Sequence, residues 1–197
     1  MKDKIVEISL VGFLKNGIRK MTIQKLVSPL GISTKTVYKY FEDKEALLKE
    51  CLNLHYAPLV NALKDSMEAS PNAVHALLIC WNLTMEADFG VNRSFYHDLN
   101  YYFPTLQDEV LKKYANKISN LIAKKIENGI QQGYFIKDLN PLLIMESMSV
   151  LYSSITRTDR YKKFKLKEET LVRDTVFIYL RGICTEKGLN EFAIFKK

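Results

Sequence analysis

Six side chains between Thr34 and Tyr40 carry groups that can hydrogen-bond to a polynucleotide: Thr34, Lys35, Thr36, Tyr38, Lys39 and Tyr40. A lysine ammonium can meet the O6/N7 edge of guanine or a phosphate. A threonine hydroxyl can bond a base edge, and its methyl can touch the thymine methyl. Phosphate contacts give affinity without sequence information, so Thr34, Lys35 and Thr36 are the candidates to specify bases. Lys39 and Lys25 are candidate phosphate partners. Catalytic chemistry finds little support. His55, His75 and His97 have no partners at the HExxH metal spacing, and no G-x-S-x-G elbow, phosphate loop or dinucleotide fingerprint occurs. His97 and Asp98 are adjacent on a helix, so they point about 100° apart, a poor relay geometry. No enzyme activity, metal or cofactor is expected.

The groups on 34–40 need a frame, and residues 22–47, TIQKLVSPLGISTKTVYKYFEDKEAL, supply one. Thr22, Ser33 and Asp43 can each cap a helix with a side-chain oxygen. Leu26, Leu30, Ile32, Val37 and Phe41 can pack a helix pair together, and Gly31 sits at the sharp turn, where a positive φ is expected. A helix pair joined by a short glycine-containing turn is the helix-turn-helix of DNA-binding proteins. With eight glycines, five prolines and no sustained strand alternation, the whole chain reads as helix. Helices are expected near 2–15, 22–29, 33–40, 43–67, 72–89, 92–103, 105–132, 141–157 and 168–187. Pro58 should kink the fourth, and the charged stretch 158–167 reads as an exposed loop. The expected fold is all-α: a three-helix head over 1–46 and a larger helical body over 47–197.

Charge is distributed in the same way. The chain carries +7 overall, and residues 1–41 hold eight basic residues against two acids. A basic head on a body of net +1 suits a polyanionic partner. Cys51, Cys80 and Cys184 are odd in number and far apart, so they form neither a disulfide framework nor a metal spacing. They read as reduced core residues of a cytoplasmic protein. No signal peptide or membrane-spanning run is expected: the longest apolar run, Ala76 to Trp81, is far too short to cross a bilayer.

The run Thr22 … Gly31-Ile32-Ser33 … Val37-Tyr38-x-Tyr40-Phe41-x-x-Lys44-Glu45-x-Leu47, with Ile5, Phe13 and Gly17 upstream, resembles the DNA-binding domain of the TetR family of bacterial transcriptional regulators. The resemblance covers the first quarter of the chain. Beyond it, length, helical pattern and the segment Gly129-x-x-x-Gly133-Tyr134-Phe135 … Asn140-Pro141 agree in outline. The family usually has no proline at the end of the first helix of the motif. Here Ser28-Pro29-Leu30 should kink that helix or end it early near Ser28, because proline lacks the N–H for the helix ladder and clashes with the preceding turn. The resemblance implies that Tyr38 and Lys44 contact phosphates, Lys44 near the anion-favouring N-terminus of the fourth helix, and that Tyr40 reaches the backbone. The candidate DNA-contacting set is therefore Thr22, Ser33, Thr34, Lys35, Thr36, Tyr38, Lys39, Tyr40 and Lys44.

The resemblance also implies a homodimer on a palindromic operator, most simply a repressor released by a small-molecule effector. Its coupling element would be the long fourth helix. Trp81, Met85, Glu86, His97, Tyr101 and Tyr114 are the candidate pocket residues, taken from a dense aromatic set with a few polar groups. Two C-terminal helices that are apolar over more than one stripe are the candidate dimer surface, through Met145, Met148, Tyr152, Thr175, Ile178, Tyr179 and Gly182. Two alternatives differ in class: a regulator whose body is solid and senses no ligand, and an enzyme using the aromatic cavity.

Overall fold

Three capping side chains open the helices of the N-terminal motif. Thr22 Oγ1 accepts from the Lys25 N–H at 3.3 Å, Ser33 Oγ from the Thr36 N–H at 3.3 Å, and Asp43 Oδ1 from the Ala46 N–H at 2.7 Å. The computed structural model describes residues 1–156, 158 and 160–195; the expected loop 158–167 includes Asp159, which lies outside them. Among the described residues the chain is all-α, and an isolated antiparallel bridge between Phe135 and Cys184 is its extended pairing. The helices are α1 (Lys2–Asn16), α2 (Ile23–Val27), α3 (Thr34–Val37), α4 (Lys44–Glu68), α5 (Ala73–Phe89), α6 (Arg93–Tyr102), α7 (Pro104–Gln131), α8 (Pro141–Thr156), α9 (Glu168–Val172), α10 (Ile178–Gly182) and α11 (Glu186–Phe195). No described helix is long and apolar enough to cross a membrane.

The chain forms two compact units. The first is Met1–Val60 with Phe89–Tyr114, and the second is Asn61–Asp88 with the residues from Ala115 onward. The expected boundary at 46/47 is not where packing divides the chain. Leu48, Cys51 and Leu52 of α4 and Phe95 and Leu99 of α6 are buried in one core with Ile5, Phe13, Leu26 and Val37. Once buried, these apolar side chains hold α6 and the start of α7 to the helix-turn-helix residues. α1 ends at Gly17, with φ +81, and a methyl there would come within 3.0 Å of Ser94 Cβ and 3.1 Å of Asp98 Oδ2. That close approach lets Asn92 donate its backbone N–H to the Leu14 carbonyl at 3.0 Å and its Nδ2 to the Lys15 carbonyl at 2.9 Å.

In the second unit, the segment Gly129 to Phe135 makes a corner. Gly133, at φ +76, donates to the Ile130 carbonyl at 3.0 Å, and the Tyr134 N–H reaches the Gly129 carbonyl at 2.8 Å. The fully buried Phe135 ring lies where any side chain on Gly129 would stand. From this corner the Thr185 N–H reaches the Tyr134 carbonyl at 2.9 Å and the Ile136 N–H reaches the Ile183 carbonyl at 2.9 Å. Two expectations change here. The single helix expected over 168–187 is α9, a π turn at Arg173–Phe177, and α10. Thr175 Oγ1 donates to the Leu171 carbonyl at 2.6 Å within that interruption. Helix α11 was not expected, because Gly188 and a polar run weaken its local signal. The same glycine lets α11 approach the Tyr134 carbonyl, against which a methyl would collide, and Phe192 is buried.

Candidate nucleic-acid interface

Pro29 has a local effect only. α2 stops at Val27, and Ser28–Leu30 forms one 3-10 turn with Pro29 inside it. Gly31 follows in the left-handed region at φ +63, which costs glycine little and a side-chain-bearing residue more. Thr34–Val37 then forms α3, and i→i+3 and i→i+4 bonds continue the turn: the Tyr40 N–H donates to the Val37 carbonyl at 2.9 Å and the Phe41 N–H to the same oxygen at 3.1 Å. Val37 and Phe41 are buried and fix the phase. Thr34, Lys35, Tyr38, Lys39 and Tyr40 are consequently exposed, with Thr36 half-buried. Ser33 Oγ and Thr36 Oγ1 share a hydrogen bond of 3.1 Å, so part of the polar capacity of both residues serves the cap. Thr22 is likewise engaged as a cap while remaining at the surface.

Lys44, for which the resemblance implies a phosphate contact, is half-buried. Its Nζ donates to the Ile18 carbonyl at 2.6 Å and stands 5.8 Å from the centre of the Phe13 ring. Burial lowers its pKa from the usual lysine value, and the Asp98 carboxylate opposes that shift. In this position Lys44 ties the start of α4 to the turn after α1. Asp98, buried on α6, accepts the Arg19 N–H at 2.8 Å, and Arg19 Nη1 donates to the Tyr102 hydroxyl at 2.6 Å. This Asp98–Arg19–Tyr102 arrangement has no sequence signature, because its members lie some eighty residues apart.

The candidate pocket residues do not converge. Glu86 is exposed. The His97 side chain is 67% exposed and stacks on Tyr101, itself 72% exposed, at 6.0 Å on the outside of α6. Tyr114 is buried in the core of the first unit and donates to Asn53 Oδ1 at 3.1 Å. Trp81 and half-buried Met85 remain, both in the second unit. The Trp81 ring lies 5.2 Å from that of Tyr152, whose hydroxyl donates to Asp88 Oδ2 at 2.9 Å, while the buried Trp81 Nε1 has no partner among the described residues.

The candidate dimer residues are also divided. Met145, Met148 and Tyr152 are buried within the protomer. The outward stripe of α8 is one step away in phase, at Leu143, Ser147 and Val150, and on α10 Ile178 and Gly182 are exposed. A helix apolar all round does not reveal from sequence which stripe faces inward. Thr175 and Tyr179 are half-buried.

Residues 9–51 match the sequence pattern described as "Bacterial regulatory proteins, tetR family". The chain is similar to an uncharacterized HTH-type transcriptional regulator, YerO, of Bacillus subtilis (strain 168), at 34% identity over 67 residues. That match spans 34% of this chain and only 23% of the relative's length. In fold, the chain resembles a transcriptional regulator from Cytophaga hutchinsonii ATCC 33406, with a TM-score of 0.74 and 19% identity over 93% of this chain and 98% of the other. It also resembles the fatty acid degradation regulator FadR of Bacillus halodurans, with a TM-score of 0.67 and 21% identity over 93% of this chain and all of that one (100%). The helix-turn-helix built as described lies within residues 9–51, the part of the chain that matches the tetR family of bacterial regulatory proteins.

Proposed function

We propose that this protein is a DNA-binding transcriptional regulator that works as a homodimer on a palindromic site, most simply a repressor released by a small molecule. The observation that carries the reading is the turn from Thr34 to Tyr40, capped by Ser33 and anchored by Val37 and Phe41, which leaves Lys35, Tyr38 and Tyr40 outward. Such a turn is narrow enough to enter a major groove. Lys35 with Thr34 and Thr36 would read bases, and Tyr38, Lys39 and Tyr40 would hold phosphates. One head reads few bases, so two heads on a two-fold axis gain greatly in affinity. The exposed apolar stripe of α8 and the Ile178–Gly182 face of α10 supply a surface for that pairing. α4 contributes residues to both compact units and is the element through which a ligand could bias DNA binding. A ligand shifts that equilibrium only by binding one state better than the other.

For the effector, the reading rests on Trp81. A buried indole N–H without a partner costs free energy that an acceptor on a bound molecule would relieve. Trp81 is also the single tryptophan of the chain, so it reports on its own surroundings. The test is a mobility shift on DNA from upstream of the gene, with a salt series and scrambled competitor, alongside a ligand screen by Trp81 fluorescence. Competitor-resistant binding, released by compounds that alter Trp81 emission, supports the reading. Release by compounds that leave Trp81 emission unchanged would place the effector elsewhere.

A further inference from the structure

The segment RTDRYKKFKLK, from Arg157 to Lys167, joins α8 to α9 and holds six basic residues against one acid, a net of +5. Residues 42–197 sum to +1, so this segment reverses a charge of −4 on the rest of them. Arg160, Lys163, Lys165 and Lys167 are exposed. A 3-10 turn at Lys162–Phe164 shapes the backbone between them, ended by Lys165 at φ +52. Apolar side chains are interleaved with these lysines. Here Phe164 is 53% and Leu166 48% exposed. The Tyr161 ring lies 6.0 Å from that of Phe164, and the Lys163 ammonium stands 5.2 Å over the Phe164 ring. Bases interleaved with aromatics suit a nucleic-acid backbone, and the mutual repulsion of the bases is relieved when phosphates neutralise them.

The segment is tied to a defined end of the second unit. Thr158 Oγ1 donates to the Ser154 carbonyl at 2.7 Å. Less than two turns earlier Tyr152 bonds Asp88, the residue after which the chain passes from the second unit into the first. We infer that the segment is a second DNA contact, in which Arg160, Lys163, Lys165 and Lys167 neutralise phosphates and add affinity without reading sequence. This rests on the DNA-binding reading above. An anionic lipid surface is the competing polyanion. Phe164 and Leu166 offer it little apolar area, and even a whole myristoyl chain anchors a protein only marginally.

The test compares Lys163→Gln/Lys165→Gln/Lys167→Gln with a control triple of equal charge, Lys117→Gln/Lys124→Gln/Lys137→Gln. Both are titrated on a selected operator and on a scrambled duplex between about 50 and 200 mM salt. The loop triple is expected to bind both duplexes roughly tenfold or more weakly, with its salt slope reduced by about 0.9 for each phosphate it no longer neutralises. Preference between the duplexes should be unchanged. The control triple, and a loop triple carrying arginines at the same positions, should keep the wild-type slope. A loop triple with the wild-type slope overturns the inference, as does an equal fall in both triples. Loss of binding to phosphatidylserine–phosphatidylcholine vesicles with an unmoved DNA slope would give the segment to lipid instead. If the wild-type protein binds no selected duplex, the DNA-binding reading itself fails, a result distinct from any difference between variants.

Discussion

Lys35 and Lys44 show how much a residue's role depends on what its end touches. Lys35 is free to meet a base edge, whereas Lys44 spends one donor on the Ile18 carbonyl at 2.6 Å. Replacing Lys35 with alanine should weaken operator binding by about 1–3 kcal/mol and relax preference at one base position. Tyr38→Phe should weaken binding to all duplexes alike. Competition titrations against single-base operator variants distinguish the two, and a uniform loss with Lys35→Ala would make Lys35 a phosphate contact only. The cysteines give a second prediction at this scale. Burial pushes the thiols of Cys51 and Cys80 up to about 12 and that of Cys184 up to about 11, from an ordinary 9.0. Thiolate is the reactive form, so native protein at neutral pH should resist thiol reagents that modify it readily once unfolded. Each raised pKa contributes stability that is intact below pH 9.0 and lost as pH rises toward the folded value, because the unfolded chain ionises first. Denaturant titrations should therefore show stability falling above pH 9.0, and Cys51→Ala/Cys80→Ala should flatten that fall. Rapid labelling of the native protein would contradict the burial.

Elements whose signals are local were legible in the sequence, and those decided by distant contacts were not. The caps Thr22, Ser33 and Asp43, the left-handed Gly31 and the stop at Ser28-Pro29 each depend on a few neighbouring residues, and each is present. The phase of α8 depends on what packs against it, so Met145, Met148 and Tyr152 face inward where an outward face was expected. The π turn at Arg173–Phe177 has no pattern of its own, and α11 forms where local propensity argues against it. Two glycines in this region separate propensity from packing. Gly188→Ala should destabilise the fold by about 1–3 kcal/mol, because its methyl meets the Tyr134 carbonyl, even though alanine is the better helix former. Gly182 has open space around its Cα, so Gly182→Ala should leave the protomer unharmed or stabilise it by roughly 0.5–1 kcal/mol. Thermal melts at low protein concentration read both. A Gly188→Ala protein as stable as wild type would mean that α11 does not dock on the Tyr134 corner.

The whole molecule combines a basic head, an apolar outer face on α8 and α10, and a helix shared by both units. The head was legible because many positions at fixed spacing must agree. The pocket was not, since aromatic residues that fill a core and those that line a cavity look alike until burial is known. Tyr101, exposed on α6, and buried Trp81 are such a pair. If the apolar face pairs two protomers, Val150→Arg/Ile178→Arg should yield folded monomers by sedimentation and weaken palindrome binding far more than half-site binding. An unchanged association state would move the dimer surface elsewhere. Sequence-specific DNA binding by a dimer is tested best by selecting duplexes from a random pool with the purified full-length protein, followed by sequencing and the stoichiometry of the complex. The expected product is an enriched inverted repeat bound by two protomers, and selection with Lys35→Ala should return the same repeat with one position of each half-site relaxed. Recovery of duplexes with no shared sequence, by a protein shown to be folded, would contradict it.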